Sequence, residues 1–149
     1  MLENVDSLLP LLPEKEPSVI CVGVEEESLN ELGRLLSTLG FRVVGRVPFL
    51  SKKINPATYI GKGKIEELRE AIEKYQAQAV ILDVELSPKQ LQNLEKEVKK
   101  PILDRPGVII EIFSQHARTK ESKTQVALAR LQYLLPRLTH FWNHFERQR

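Results

Sequence analysis

SVICVGV (18–24), SLNELGRLLSTLG (28–40) and FRVVGRV (41–47) follow one another with little between them, and that order decides the fold. The first is an unbroken apolar run ending in small and β-branched residues. In the second, Leu29, Leu32, Leu35, Leu36 and Leu39 recur at helical spacing before Gly40, the residue type that closes helices. The third is again rich in valine. A strand, a helix and a second strand are the expectation. The alternation continues downstream. Ile65, Leu68 and Ile72 predict a helix from about Lys64 to Tyr75 with acids in its first turns, and AQAVILDV (77–84) predicts a strand buried on both faces. Ser87-Pro88-Lys89-Gln90 then supplies a serine cap, a proline at the first helical position and a glutamine able to reach back to the cap amide. Pro101 to Asp104 reads as one more short strand, and GVIIEIF (107–113), though β-branched, places Ile109, Ile112 and Phe113 on one helical face. The expected class is α/β: a small, mostly parallel sheet flanked by helices, with right-handed crossovers.

Around this body the chain divides into an irregular lead-in (1–17, three prolines), the α/β region (18–117) and a long helical region (118–149). Pro48 to Tyr59 is expected to be a surface loop. In the last region Leu128, Leu131, Leu135, Leu138, Trp142 and Phe145 step by three and four, the signature of a coiled-coil seam that needs a partner helix or a second chain. Pro136 lacks the amide that the carbonyl four residues back requires, so a kink or a break is expected there.

Composition narrows the function. The chain has 149 residues, 42% hydrophobic, 28% charged and 6% aromatic, the balance of an ordinary folded domain. No apolar run approaches the roughly 20 residues of a bilayer span, and the opening residues are unlike a signal peptide, which together predict a cytoplasmic protein without stable membrane insertion. The single cysteine, Cys21, rules out an internal disulfide and a cysteine-rich metal site, and reads as a small core residue. The net charge of +2 hides an asymmetry. From residue 118 onward, Arg118, Lys120, Lys123, Arg130, Arg137, Arg147 and Arg149 face only Glu121 and Glu146, a net of +5 that leaves −3 for the rest. Such a basic segment, interleaved with Tyr133, Phe141 and Trp142 and joined by His140, fits contact with RNA phosphates and bases.

Other motifs carry less. Gly61-Lys62-Gly63-Lys64 has neither the P-loop nor the dinucleotide pattern, yet two glycines and two lysines opening a helix form a candidate phosphate site. Asp83 and Glu85 end a predicted parallel strand, where Mg²⁺ binding or acid–base chemistry is conceivable, but without a nucleophile or histidine nearby they are expected to bond turn amides. His140 and His144 have metal-ligand spacing with Phe-Trp-Asn between them, and His116 stands roughly 36 Å back along a continuous helix, so no metal site and no catalytic residue is assigned.

TYIGKGKIEEL (58–68), VILDVELSPKQLQNLE (80–95) and ILDRPGVIIEIFSQHARTKESKTQVALARLQYLLPRL (102–138), in this order, resemble the N-terminal region of the HflX GTPases. Pro106 departs from the threonine usual after the Asp-Arg pair. The resemblance implies an α/β subdomain followed by two long antiparallel helices, of which the C-terminal helix here is half, with the G domain and its GTP and Mg²⁺ sites outside these residues. It further implies binding to the large ribosomal subunit, contact with ribosomal RNA, communication with the protein's own G domain, ribosome splitting or rescue by the intact protein, and ATP binding in the N-terminal region, for which Gly61 to Lys64 is the candidate. Two alternatives remain open at this point: a stand-alone ATP- or GTP-binding α/β protein, and a homodimeric module closed through the Leu128 to Phe145 seam.

Overall fold

The computed structural model describes residues 16–49 and 54–147, with side chains through residue 137. β1 (Ser18–Gly23) is buried at all six positions because it lies inside the sheet rather than at its rim. α1 (Glu26–Thr38) turns Leu29, Leu32 and Leu36 inward and ends in a Schellman motif: the Phe41 amide donates to the Leu36 carbonyl (2.8 Å) and the Gly40 amide to that of Ser37 (3.1 Å). Gly40 has φ +90°, a conformation that glycine adopts without penalty. β2 (Arg42–Pro48), α2 (Lys62–Tyr75), β3 (Ala79–Leu82), α3 (Pro88–Val98) and β4 (Ile102–Leu103) complete the alternation.

The four strands are all parallel in the order β2-β1-β3-β4. Strand side chains alternate between faces. Ile20, Val22, Val80, Leu82 and Ile102 therefore join Ile65, Leu68 and Ile72 of α2 and Leu91, Leu94 and Val98 of α3 in one core, while α1 packs on β1 and β2. Each fully buried aliphatic side chain of this kind contributes roughly 1.5–3 kcal/mol. Cys21 is buried as expected.

α4 (Arg105–His116) resolves the ambiguous GVIIEIF run as helix, and Pro106 fits its first turn, where no backbone amide is needed. α5 (Lys120–Arg147) runs for 28 residues through Pro136, so the helix is not broken in two. The described residues separate into two compact units, one reaching to Arg105 and the other starting at Pro106. The lead-in up to residue 15 and the loop residues 50–53 lie outside the described residues. Beyond the gap, Asn55–Tyr59 closes a tight turn in which the Asn55 side chain accepts from the Ala57 amide (2.8 Å).

Two expectations are corrected. α2 starts at Lys62, two residues early, because Gly61 is extended (φ −76°, ψ 170°) and acts as the cap residue; its first turn accordingly holds lysines, and Glu66 and Glu67 fall in the second. Asp83 bonds side chains rather than turn amides, and Glu85 is exposed; the amide of this turn, that of Leu86, instead donates to Asp104 (3.0 Å). Of the seam residues, Leu128 and Leu135 are exposed, while Ala127, Arg130 and Leu134 form the buried face of α5.

Candidate nucleic-acid interface

In a parallel sheet of this order the chain reverses direction between β1 and β3, and the crevice at their C-terminal ends is the usual ligand position. Here that crevice is filled. Asp83, nearly buried, accepts from Arg105 Nε (2.9 Å) and from the Ser28 hydroxyl, and the hydrogen bond to Asp83 holds the Arg105 guanidinium above its ordinary pKa. A Cβ placed on Gly23 would sit 2.8 Å from Leu29 Cδ2 and 3.1 Å from Asp83 Cβ. Helix and carboxylate thus close over the strand ends, and Asp83 serves as a structural anchor.

The basic segment divides into engaged and exposed cations. Arg130 is buried: Nη2 donates to Ser114 Oγ (2.7 Å) and pairs with Glu111 Oε1 (3.2 Å), fastening α5 to α4. Burial lowers the Arg130 pKa and raises that of Glu111 above the usual carboxylate value, so desolvation outweighs the mutual attraction. Arg137 folds back on its own helix. Its Nη1 donates to the Tyr133 carbonyl (2.6 Å), one turn earlier and beside Pro136, and its guanidinium carbon lies 3.6 Å from the Tyr133 ring centre. Tyr133 is itself buried, so it offers no face to a base. His140, Arg147, Arg149, Phe141 and Trp142 have side chains outside the described residues.

Arg118, Lys120 and Lys123 are all exposed at the start of α5. Thr119 caps this helix reciprocally: its hydroxyl accepts from the Ser122 amide (3.0 Å), and the Ser122 hydroxyl accepts from the Thr119 amide (3.1 Å). The positive end of the macrodipole lies here, where each cation is unfavourable by about 0.3–1 kcal/mol and an anion is favourable by as much. Three cations against the single carboxylate of Glu121 at this end make a net positive surface that phosphate complements.

Gly61 to Lys64 form the cap and first turn of α2. Lys62 is exposed and Lys64 pairs with Glu67 (2.8 Å). Among the described residues no three His, Cys, Asp or Glu side chains cluster as metal ligands, and no helix is long and apolar enough to cross a membrane. His116 ends α4, on the other side of a helix break from α5. Sequence reasoning missed the partners Ser28, Arg105 and Glu111. The last had a readable signal, a lone acid inside the apolar run GVIIEIF.

The family described as GTP-binding GTPase N-terminal matches residues 26–114, and the GTP-binding GTPase middle region matches 116–149. The chain belongs to the HflX GTPase family, as part of its N-terminal region. It is 43% identical over 137 residues to the GTPase HflX of Caldanaerobacter subterraneus subsp. tengcongensis, covering 89% of this chain and 32% of that protein. With the Escherichia coli K12 GTPase HflX the identity is 40% over 123 residues, covering 83% and 29%. This chain therefore spans about a third of the length of these HflX relatives. Among solved structures, a GTP-binding protein from Sulfolobus solfataricus in complex with GDP superposes with a TM-score of 0.66 at 27% identity, covering 88% of this chain and 42% of that one. The complex of SsGBP with GDP gives 0.69 at 27% identity, over 83% and 37%. The boundary between the two HflX segments, near residue 115, falls at the end of α4.

Proposed function

We propose that this chain is the ribosome-docking region of an HflX GTPase, which contacts RNA of the large subunit through the cations that open α5 and serves ribosome splitting or rescue in the intact protein. The observation that carries the reading is the crowding of Arg118, Lys120 and Lys123 at a helix N-terminus. That placement is unfavourable in the free protein and favourable against a polyanion. His140, Arg147 and Arg149 extend the basic set by sequence, whereas Arg130 and Arg137 act by holding the helices in shape. The exposed Leu128 and Leu135 are the stripe on which we place the second helix of the coiled-coil pair, or a second copy when that helix is lacking. The reading includes a cytoplasmic location and communication with a G domain that binds GTP and Mg²⁺, both assigned to the part of the relatives' length that this chain does not match. ATP at Gly61, Lys62, Gly63 and Lys64 belongs to the same proposal, supported by the glycine cap and the exposed lysine at the α2 N-terminus.

Co-sedimentation with purified large subunits tests the reading. Neutralising three phosphates makes binding about 20- to 40-fold weaker at ~200 mM than at ~50 mM salt. Affinity independent of salt would contradict it.

A further inference from the structure

α4 and α5 leave an apolar groove between them. It has a volume of about 360 Å³ and is walled by Ile110 and Phe113 of α4, Ala117 of the turn, and Val126 and Ala129 of α5, with no carboxylate among its lining residues. Phe113 is 60% exposed, and Ile109, one turn earlier on the same helix, is 48% exposed. Large apolar side chains left in water beside an apolar groove mark a docking surface. The groove is distinct from the leucine stripe of α5. At 3.6 residues per turn, Val126 and Ala129 lie about 100–180° around the helix from Leu128 and Leu135, so a helix laid on that stripe leaves the groove uncovered. At one end of the groove stands His116, followed by Arg118, Lys120 and Lys123, all exposed, against Glu121. A fitting occupant is therefore both apolar and acidic, and the chain carries one. Residues 1–14 hold Leu2, Val5, Leu8 and Leu9 with Glu3, Asp6 and Glu14, and no lysine, arginine or histidine.

We infer that the lead-in of this chain, Leu2 to Leu9, docks its aliphatic side chains in the α4–α5 groove and sets Glu3 and Asp6 against the cations at the start of α5. Because the segment is tethered to its own groove, its effective concentration is of millimolar order, and a few aliphatic contacts suffice to keep the groove mostly filled. A second copy of the chain is the competing occupant. A two-fold contact through this face would set one basic groove end against another, which like charges oppose. The docked lead-in screens the same cations from phosphate, so lead-in and RNA compete for the start of α5. That consequence rests on the RNA-binding reading above, whereas the docking itself does not.

The test places one reactive cysteine in the full 149-residue chain, Ala129→Cys in the groove or Leu128→Cys on the leucine stripe, and follows its reaction with a thiol reagent; Cys21 is buried and does not report. With the native lead-in, the thiol of Ala129→Cys is expected to react about fivefold more slowly than in an L8N/L9N background, as for a groove filled about four-fifths of the time. The thiol of Leu128→Cys should react equally fast in both, and the unfolding temperature of each variant shows that the fold is retained. Equal rates for Ala129→Cys in the two backgrounds would overturn the inference. So would protection that is lost on dilution from about 100 µM to about 1 µM, which assigns the groove to a second copy. Competition is read separately, from the anisotropy of a fluorescein-labelled oligouridylate 15-mer. E3Q/D6Q should bind it about twofold or more tighter than the native chain at low salt, and more so than E26Q/E27Q, which removes two exposed acids of α1 and controls for net charge. Equal affinity of E3Q/D6Q and E26Q/E27Q would overturn the screening of the α5 cations. A chain that binds no RNA would refute the RNA-binding reading, while the thiol rates still decide the docking.

Discussion

Cys21 sits in the middle of β1, and burial pushes its thiol up from 9.0 to about 11, against a smaller lowering by Arg46. At pH 8 such a group is about one part in a thousand thiolate, where an ordinary cysteine is about one in ten. The folded protein should therefore react with a thiol reagent at pH 8 only as fast as it unfolds, and one equivalent should react at once in denaturant; rapid labelling of the native chain would contradict this burial. Because the folded pKa is the higher one, the thiol's contribution to stability is complete below pH 9 and is lost as pH rises through about 11. Arg130 teaches a different lesson. In sequence it is one more cation of a basic segment, and its partner Glu111 lies nineteen residues away on another helix, a separation over which composition carries no pairing information. Removing it leaves a largely buried carboxylate alone, so Arg130→Ala should cost about 3–5 kcal/mol in urea unfolding, whereas Lys123→Ala should change stability by no more than ~0.5 kcal/mol. Equal effects would contradict the division between a buried, structural Arg130 and an exposed Lys123. Burial raises the Glu111 pKa above its ordinary value of 4.5, so its contribution is fully present below that pH and is lost as pH rises through the raised value. Relative to Glu111→Gln, the native chain should accordingly gain stability as pH falls toward 4.5.

At the scale of elements, legibility follows the range of the interactions that set each boundary. The start of α3 was readable in full, because a capping box is closed within four residues: the Ser87 hydroxyl accepts from the Gln90 amide (3.1 Å), and the Gln90 side chain accepts from the Ser87 amide (3.0 Å). Ser87→Ala should lower stability by ~1 kcal/mol and the melting temperature by about 2–4 °C; no shift would mean that Pro88 alone fixes this helix start. The start of α2 was misplaced because nothing caps it but the extended backbone of Gly61, and a glycine announces a turn without saying on which side the helix begins. Of the kink or break that Pro136 signals, the break does not occur. A proline removes only one amide from a helix, and in α5 the turns on either side remain continuous. The heptad spacing of α5 is a pattern of the sequence, and the helix buries a different stripe, Ala127, Arg130 and Leu134, displaced by one residue from the exposed Leu128 and Leu135. An amphipathic count follows the leucines and passes over the stripe that the fold buries.

For the whole molecule, strand order was the least accessible feature. Alternating strands and helices imply a parallel sheet, but only the register of β1 with both β2 and β3 shows that the chain reverses at β1 and that the ligand crevice expected there is closed by Asp83, Arg105 and Ser28. The charge asymmetry was visible at once, and the structure refines it by setting Arg130 and Arg137 apart from the exposed Arg118, Lys120 and Lys123. Function then rests on what those three touch. The most direct measurement replaces Lys123 with a photo-crosslinking amino acid, irradiates the protein bound to large ribosomal subunits and identifies the attached molecule. The account predicts a crosslink to ribosomal RNA that is lost at high salt; a crosslink to ribosomal protein alone, or none while binding persists, would contradict it.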